Sequence, residues 1–155
     1  MIPARITSVF VLVAFTLSLQ SVKATYRRHR MAVLPDTLVT PGDVLTSDTA
    51  IICHRKTSNI RSVTLAMHKF IFTEYGIPYR QHSKYEDDHL ISLELGGSNS
   101  NKNRWPQPYP QAYEKDKVEN WSHKMICAGK LNVLFVQHQI ARDWTILDSM
   151  RINSK

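Results

Sequence analysis

The stretch 85–107, Y-E-D-D-H-L-I-S-L-E-L-G-G-S-N-S-N-K-N-R-W-P-Q, limits what this chain can fold into more than any other part of it. Tyr85, Leu90, Leu93 and Leu95 form a short run able to pack against a neighbour, and Gly96-Gly97 then turns the chain into a polar loop over 98–102. The chain resumes at Asn103-Arg104-Trp105 and is stopped by Pro106. Turn residues of this kind punctuate strands, so the stretch reads as strand, wide loop, strand. A helical pattern follows from about Ala112 to Ala128, burying Val118, Trp121 and Met125 and closed by Gly129. A helix-rich α+β fold is predicted, with this unit at its centre.

Within the first strand Asp87 and Asp88 precede His89. D-H on one strand, Gly-Gly in the turn, Asn103 before Trp105-Pro106 on the next strand and a helix after it resemble the HNH, or ββα-metal, nuclease family. The likeness runs unbroken through the 23 residues of 85–107 and continues into the helix. Ser92 stands where that family usually has proline, and no C-x-x-C pairs flank the motif, so the zinc-stapled subtype is not indicated. The resemblance implies a ββα-metal core over about 85–128, with additional packing helices before and after it, in a metal-dependent endonuclease.

Hydrolysis of a phosphodiester needs an activated water, a cation on the scissile phosphate and help for the leaving oxygen. A neutral imidazole suits the first task, which by the resemblance falls to His89 as general base, with an ordinary pKa near about 6.5. Asp88 points to the other face of the strand, and the resemblance makes it a metal ligand. Asn103 is implied to hold the loop and orient the histidine. A further ligand is implied from the helix, where Asp116, Asn120 and His123 share one face and Glu119 borders it. The candidates are Glu119, Asn120 and His123. Such an oxygen-rich set suits Mg²⁺ or Mn²⁺ better than zinc. Phosphate contacts are expected from Arg61, Lys102, Arg104, Lys115, Lys117 and Lys124. Each of these residues also has an ordinary structural use: a satisfied histidine, a turn-capping asparagine, a solvated helix face.

Residues 1–24 read as a secretory leader. Arg5 is followed by an apolar core over 6–19, too short to span a bilayer, and Val22-Lys23-Ala24 fits a cleavage site. The expected mature chain starts at Thr25, is secreted or periplasmic, and keeps no stable membrane association. Without Arg5 and Lys23 the formal charge of +7 becomes +5, a balance that suits a polyanionic partner and equally a soluble secreted protein. Arg27, Arg28 and Arg30 form a basic N-terminal arm, expected to be mobile. The prolines and Gly42 make 25–49 an extended lead-in, and the single domain is expected over 50–155. Ala50-Ile51-Ile52-Cys53 reads as a strand, and Ser62 as the cap of a helix over 63–75 with Val63, Met67, Phe70, Ile71 and Glu74 marking its stripes. Asn132 caps a last helix from Val133 to Trp144 or a little beyond, with Leu134, Ile140, Ala141 and Trp144 on its apolar side.

Cys53 and Cys127 are the two cysteines of the chain, and an exported setting favours a bridge between them. Neither has a base beside it, so a cysteine nucleophile is not indicated, and there is no G-x-S-x-G or H-E-x-x-H. The leading expectation is an exported metal-dependent endonuclease, with DNA ahead of RNA. Two others stay open: a nucleic-acid-binding protein with the same scaffold and no turnover, and a disulfide-stapled surface or interaction protein.

Overall fold

The computed structural model describes residues 25–29 and 32–154; the expected leader over 1–24 and Arg30 of the expected basic arm lie outside them. The fold is α+β. Eight main elements follow in order: β1 (Arg27–His29), β2 (Ala32–Leu34), α1 (Thr49–His54), α2 (Leu65–Glu74), β3 (Tyr85–His89), β4 (Arg104–Pro108), α3 (Gln111–Cys127) and α4 (Val133–Asn153). Single 3₁₀ turns at Thr57–Asn59, Tyr79–Lys84, Leu93–Leu95 and Asn101–Asn103 join them.

β3 and β4 pair antiparallel, with Asp88 opposite Trp105 and His89 opposite Arg104. Alternation along β3 splits its polar residues between two helices. Asp88 turns to α3, where it meets Lys115, and Asp87 turns to α2, where it meets His68. The wide loop between the strands is held by Asn103, which is fully buried. Its amide nitrogen donates to the carbonyls of Ile91 (2.8 Å) and Ser98 (2.9 Å), and its oxygen accepts from the Ile91 amide at 2.9 Å. The glycine pair is required by close approach. A Cβ on Gly97 would run into the Ile91 carbonyl, and one on Gly96, where φ is +87°, into the Thr46 carbonyl.

Sequence expectations are corrected at α1 and α2. Ala50 to Cys53 lie in helix α1, because Asp48 caps it by accepting from the amides of Ala50 (2.8 Å) and Ile51 (3.4 Å). Helix α2 starts later than expected, with Thr64 rather than Ser62 as its cap, accepting from Met67 N at 3.2 Å. Its buried side is Ile71 and Phe72, while Phe70 is exposed. Within the expected lead-in 25–49, β1 and β2 form a hairpin, Val33 and Leu34 are buried, and Val44 bridges Gly97. Arg27 is pinned there, donating to the Pro35 carbonyl at 2.9 Å.

α3 begins and ends close to expectation, but it turns a different face inward. Val118, Ile126, Lys115, Glu119 and Ser122 are buried, and Trp121 is only half-buried. Asn132 does cap α4, accepting from Phe135 N at 3.1 Å. That helix runs on to Asn153 past a break at Asp143 (φ −168°, ψ 97°), whose carboxylate accepts from Thr145 N at 3.0 Å and so caps the second half. Leu134 is exposed; Val136, Ile140, Trp144 and Leu147 carry the packing. They close the main core with Ile52, Ile91, Leu95 and Val118, while Leu90 and Trp105 pack with Val33 and Tyr75 in a second cluster. Cys53 and Cys127 form the disulfide, tying the end of α1 to the end of α3 across 74 positions. No helix among the described residues is long and apolar enough to cross a membrane.

Candidate functional site

His89 ends β3 and is nearly buried, at 4 % exposed. Its Nε2 lies 3.2 Å from Asn99 Oδ1. Asn99 cannot turn over without loss: its nitrogen donates to the Ile60 carbonyl at 2.7 Å, and its oxygen also accepts from Ser62 N at 3.2 Å. The oxygen therefore faces the ring, so Nε2 carries the proton and donates, an assignment made from the network. Nδ1 keeps its lone pair. Burial, with the charges of Arg61 and Arg104 adding to it against the Asn99 bond, brings the imidazole pKa down to about 4. The ring is neutral at pH 7 with one free basic nitrogen. Asn99 was not singled out by sequence, because nothing separates it from the other asparagines of the loop.

On the opposite face of β3 the structure brings three ionisable groups together. Lys115 Nζ donates to Asp88 Oδ2 at 2.7 Å, to the His89 carbonyl at 2.8 Å and to Glu119 Oε1. Asp88 also accepts from Trp105 Nε1 at 3.1 Å. All three side chains are buried. Burial alone would pull the Lys115 pKa down, but Asp88 and Glu119 more than reverse it, and the ammonium is held charged. Burial, with the charge of Asp88 behind it, pushes Glu119 up to about 8 despite Lys115. Asp88 is raised by burial as well. One ammonium cannot neutralise two buried carboxylates, so the trio keeps an extra proton shared between the acids.

Asp88 does face α3 beside Glu119, and the space between these two expected metal ligands is filled by the Lys115 ammonium. Lys115 and Arg104, expected at phosphate, are both buried in ion pairs. Arg104 is fully buried, its Nε donating to Asp87 Oδ1 at 3.1 Å and its Nη2 to Asp87 Oδ2. Asn103 braces the loop as expected but touches the loop backbone, leaving the histidine to Asn99. Among the other candidates Arg61, Glu119 and Asn120 do converge. With Ser92, Glu94 and Asp116 they line a polar cleft of about 190 Å³ between α3 and the loop after α1. Arg61 joins this cleft to His89, whose ring its charge reaches.

The cleft is short of positive charge. Burial raises the pKa of both Glu94 and Asp116 above the ordinary carboxylate range, with the charge of Asp116 adding to it at Glu94 and that of Asp88 at Asp116. The Ser92 hydroxyl, on the cleft lining and 8 % exposed, has no hydrogen-bond partner. Glu94, Asp116 and Ser92 were not picked out as ligands by sequence; Glu94 lies among the core leucines of L-E-L, which hid it.

His123 stands apart from the cleft lining, its Nε2 3.2 Å from the Ile52 carbonyl beside the disulfide. Lys102 is exposed at a separate apolar groove near Leu38 and Phe70. Lys117 and Lys124 line a third pocket with Trp121, Lys130 and Arg151, on another face of α3. Comparison of the chain with family models, with curated proteins and with solved structures gives no match.

Proposed function

We propose that this chain is an exported phosphodiesterase of nucleic acid, DNA ahead of RNA, built on a ββα-metal nuclease core formed by β3, β4 and α3. One observation carries the reading: at the end of β3 the His89 Nε2 is held 3.2 Å from Asn99 Oδ1, which leaves Nδ1 as the acceptor nitrogen of the ring. That is the equipment of a general base. Nδ1 takes the proton of the attacking water, the Asn99 oxygen holds the resulting imidazolium in place, and Arg61 contacts the phosphate oxygens.

A divalent cation fits the cleft better than the space between the strands and α3. Glu94, Asp116 and Asn120 offer oxygen atoms there, and the Ser92 hydroxyl is buried without a partner. Magnesium is commonly held by one or two carboxylates plus water and substrate phosphate rather than by a full protein cage. When bound, such an ion supplies Lewis-acid stabilisation of charge on the phosphate. It also offsets the acidic lining, which would otherwise repel a polyanion.

The test is plasmid nicking by the exported chain and by His89→Ala, each with and without chelator. Wild type should cut only with Mg²⁺ or Mn²⁺, and His89→Ala should lose about 10²–10⁴-fold in rate with DNA binding little changed. Cutting by His89→Ala within a few-fold of wild type would rule the histidine out. A second reading, a nucleic-acid-binding protein without turnover, is favoured by Lys115 filling the space between Asp88 and Glu119. It predicts salt-dependent DNA binding with no cleavage under any metal.

A further inference from the structure

Among the described residues, one group of three ligand-type side chains has its donor atoms all within 4.8 Å of one another: Cys53, His123 and Cys127. The carboxylates of the cleft make no such group. In the oxidised chain the two sulfurs are bonded to each other and neither can hold an ion. We propose that, once this bridge is reduced, the same three side chains form a thiolate–imidazole site for a zinc-like divalent cation. The corner between α1 and α3 would then be closed by a disulfide in one redox state and by a metal ion in the other.

The geometry is close to what such a site requires. His123 and Cys127 are four positions apart on α3, and so sit one turn above the other. His123 Nε2 lies 3.7 Å from Cys127 Sγ. In a tetrahedral zinc site with bonds of about 2.0 Å to nitrogen and 2.3 Å to sulfur, neighbouring N and S ligands are about 3.5 Å apart. Cys53 approaches from the last turn of α1, its Cα 5.6 Å from that of Cys127. Once the S–S bond is broken, rotation about the side-chain bonds suffices to part the sulfurs. Cys127 is exposed and Cys53 and His123 are half-buried, so reductant and ion can both arrive from solvent. The fourth position falls to water, as in an open three-ligand site. His123 must give up its contact with the Ile52 carbonyl and move its proton to Nδ1, leaving the Nε2 lone pair for the ion.

The steps balance. A dithiol reductant attacks one sulfur, the S–S bond breaks, and the reductant closes into its own disulfide. Two electrons and two protons arrive on Cys53 and Cys127 as thiols. The cation then displaces both protons to solvent as its two thiolate bonds form. Two soft sulfurs and an imidazole select zinc or cobalt over the magnesium that an oxygen-lined cleft favours. The inference does not rest on the phosphodiesterase reading.

The test uses the full exported chain, oxidised or reduced with a phosphine, which takes an oxygen from water while the two protons go to the sulfurs. Co²⁺ is the probe, because thiolate ligation gives a near-ultraviolet charge-transfer band and tetrahedral geometry gives intense visible bands. The reduced chain should bind one Co²⁺ with both signatures, and Zn²⁺ should displace it. Zn²⁺ should also raise the melting temperature of the reduced chain and leave that of the oxidised chain unchanged. His123→Ala should weaken the ion at least tenfold, and Cys53→Ser should abolish the charge-transfer band or halve it. Reduced chain without a thiolate band would overturn the proposal. So would a His123→Ala affinity equal to wild type, or a reduced chain whose fold Zn²⁺ does not stabilise.

Discussion

An imidazole with a pKa of about 4 is neutral at every pH where a secreted enzyme ordinarily works. If His89 is the base, the rate on free enzyme should rise as pH climbs through about 4 and stay level from about 6 to 8. An unperturbed histidine would instead give an inflection near about 6.5. A pH profile of kcat/KM with that inflection, lost in His89→Ala, would mean the ring is far less buried than here. Asn99→Ala should lower the rate by roughly 10–100-fold, the range for groups that orient a metal-bound histidine, while KM for DNA changes little. Glu119 makes the complementary case in stability. Its pKa is raised from 4.5 to about 8, so its contribution is present below 4.5 and is lost as pH rises toward 8. Glu119→Gln keeps an acceptor for Lys115 and removes that loss. Its melting temperature relative to wild type should therefore climb between about pH 5 and 8 and then level off.

The contact of β3 with α3 depends on the Lys115 ammonium lying between Asp88 and Glu119. Lys115→Met would leave two buried acids facing each other without a cation. Breaking a buried ion pair from one side typically costs about 3–5 kcal/mol. Urea unfolding at pH 7.5 should show a loss of that order, and a smaller one near pH 4, where both acids can be protonated. An equal loss at both pH values would place the cost in packing rather than charge. The disulfide acts on another pair of elements, α1 and α3. Cys53→Ala with Cys127→Ala should cost about 2–5 kcal/mol, measured in the same way, with a steeper unfolding curve because the denatured chain is no longer cross-linked.

Across the whole molecule, charge is divided between surfaces. The acidic cleft and the pocket holding Lys117, Lys124, Lys130 and Trp121 lie on different faces of α3. A nucleic acid engaging both would take most of its salt-dependent affinity from the lysines. Lys117→Glu with Lys124→Glu should then weaken DNA binding and flatten its dependence on salt by about one unit of slope per lost phosphate contact. The cutting rate at saturating DNA should be nearly preserved. An unchanged salt slope would remove that face from the interface. If the leader is processed as its sequence suggests, the intact mass of exported chain should correspond to a start at Thr25 with both thiols oxidised.

Local chemistry made much of this legible in the chain itself. The Gly96-Gly97 turn follows from backbone contacts that no side chain allows, and Asn132 and Gly129 mark helix ends by capping rules that act within a few residues. The paired cysteines and the placement of Asp88 and His89 on opposite faces of one strand were equally readable, since alternation is a property of the strand alone. Which partner each of those faces meets was not. Lys115 reads as a surface cation on a charged helix and becomes the buried counter-ion of Asp88, because α3 packs on β3 with that side inward. Arg104 is drawn inside by Asp87 in the same way. Ala50 to Cys53 look like a strand until Asp48, two residues before the apolar run, caps them as a helix. Asn99 acquires its role only when Ile60 and Ser62 close on it from a separate segment. Short-range steric and capping forces are written into neighbouring residues, whereas burial, pKa and the choice of ion-pair partner depend on which distant segments the packing brings together.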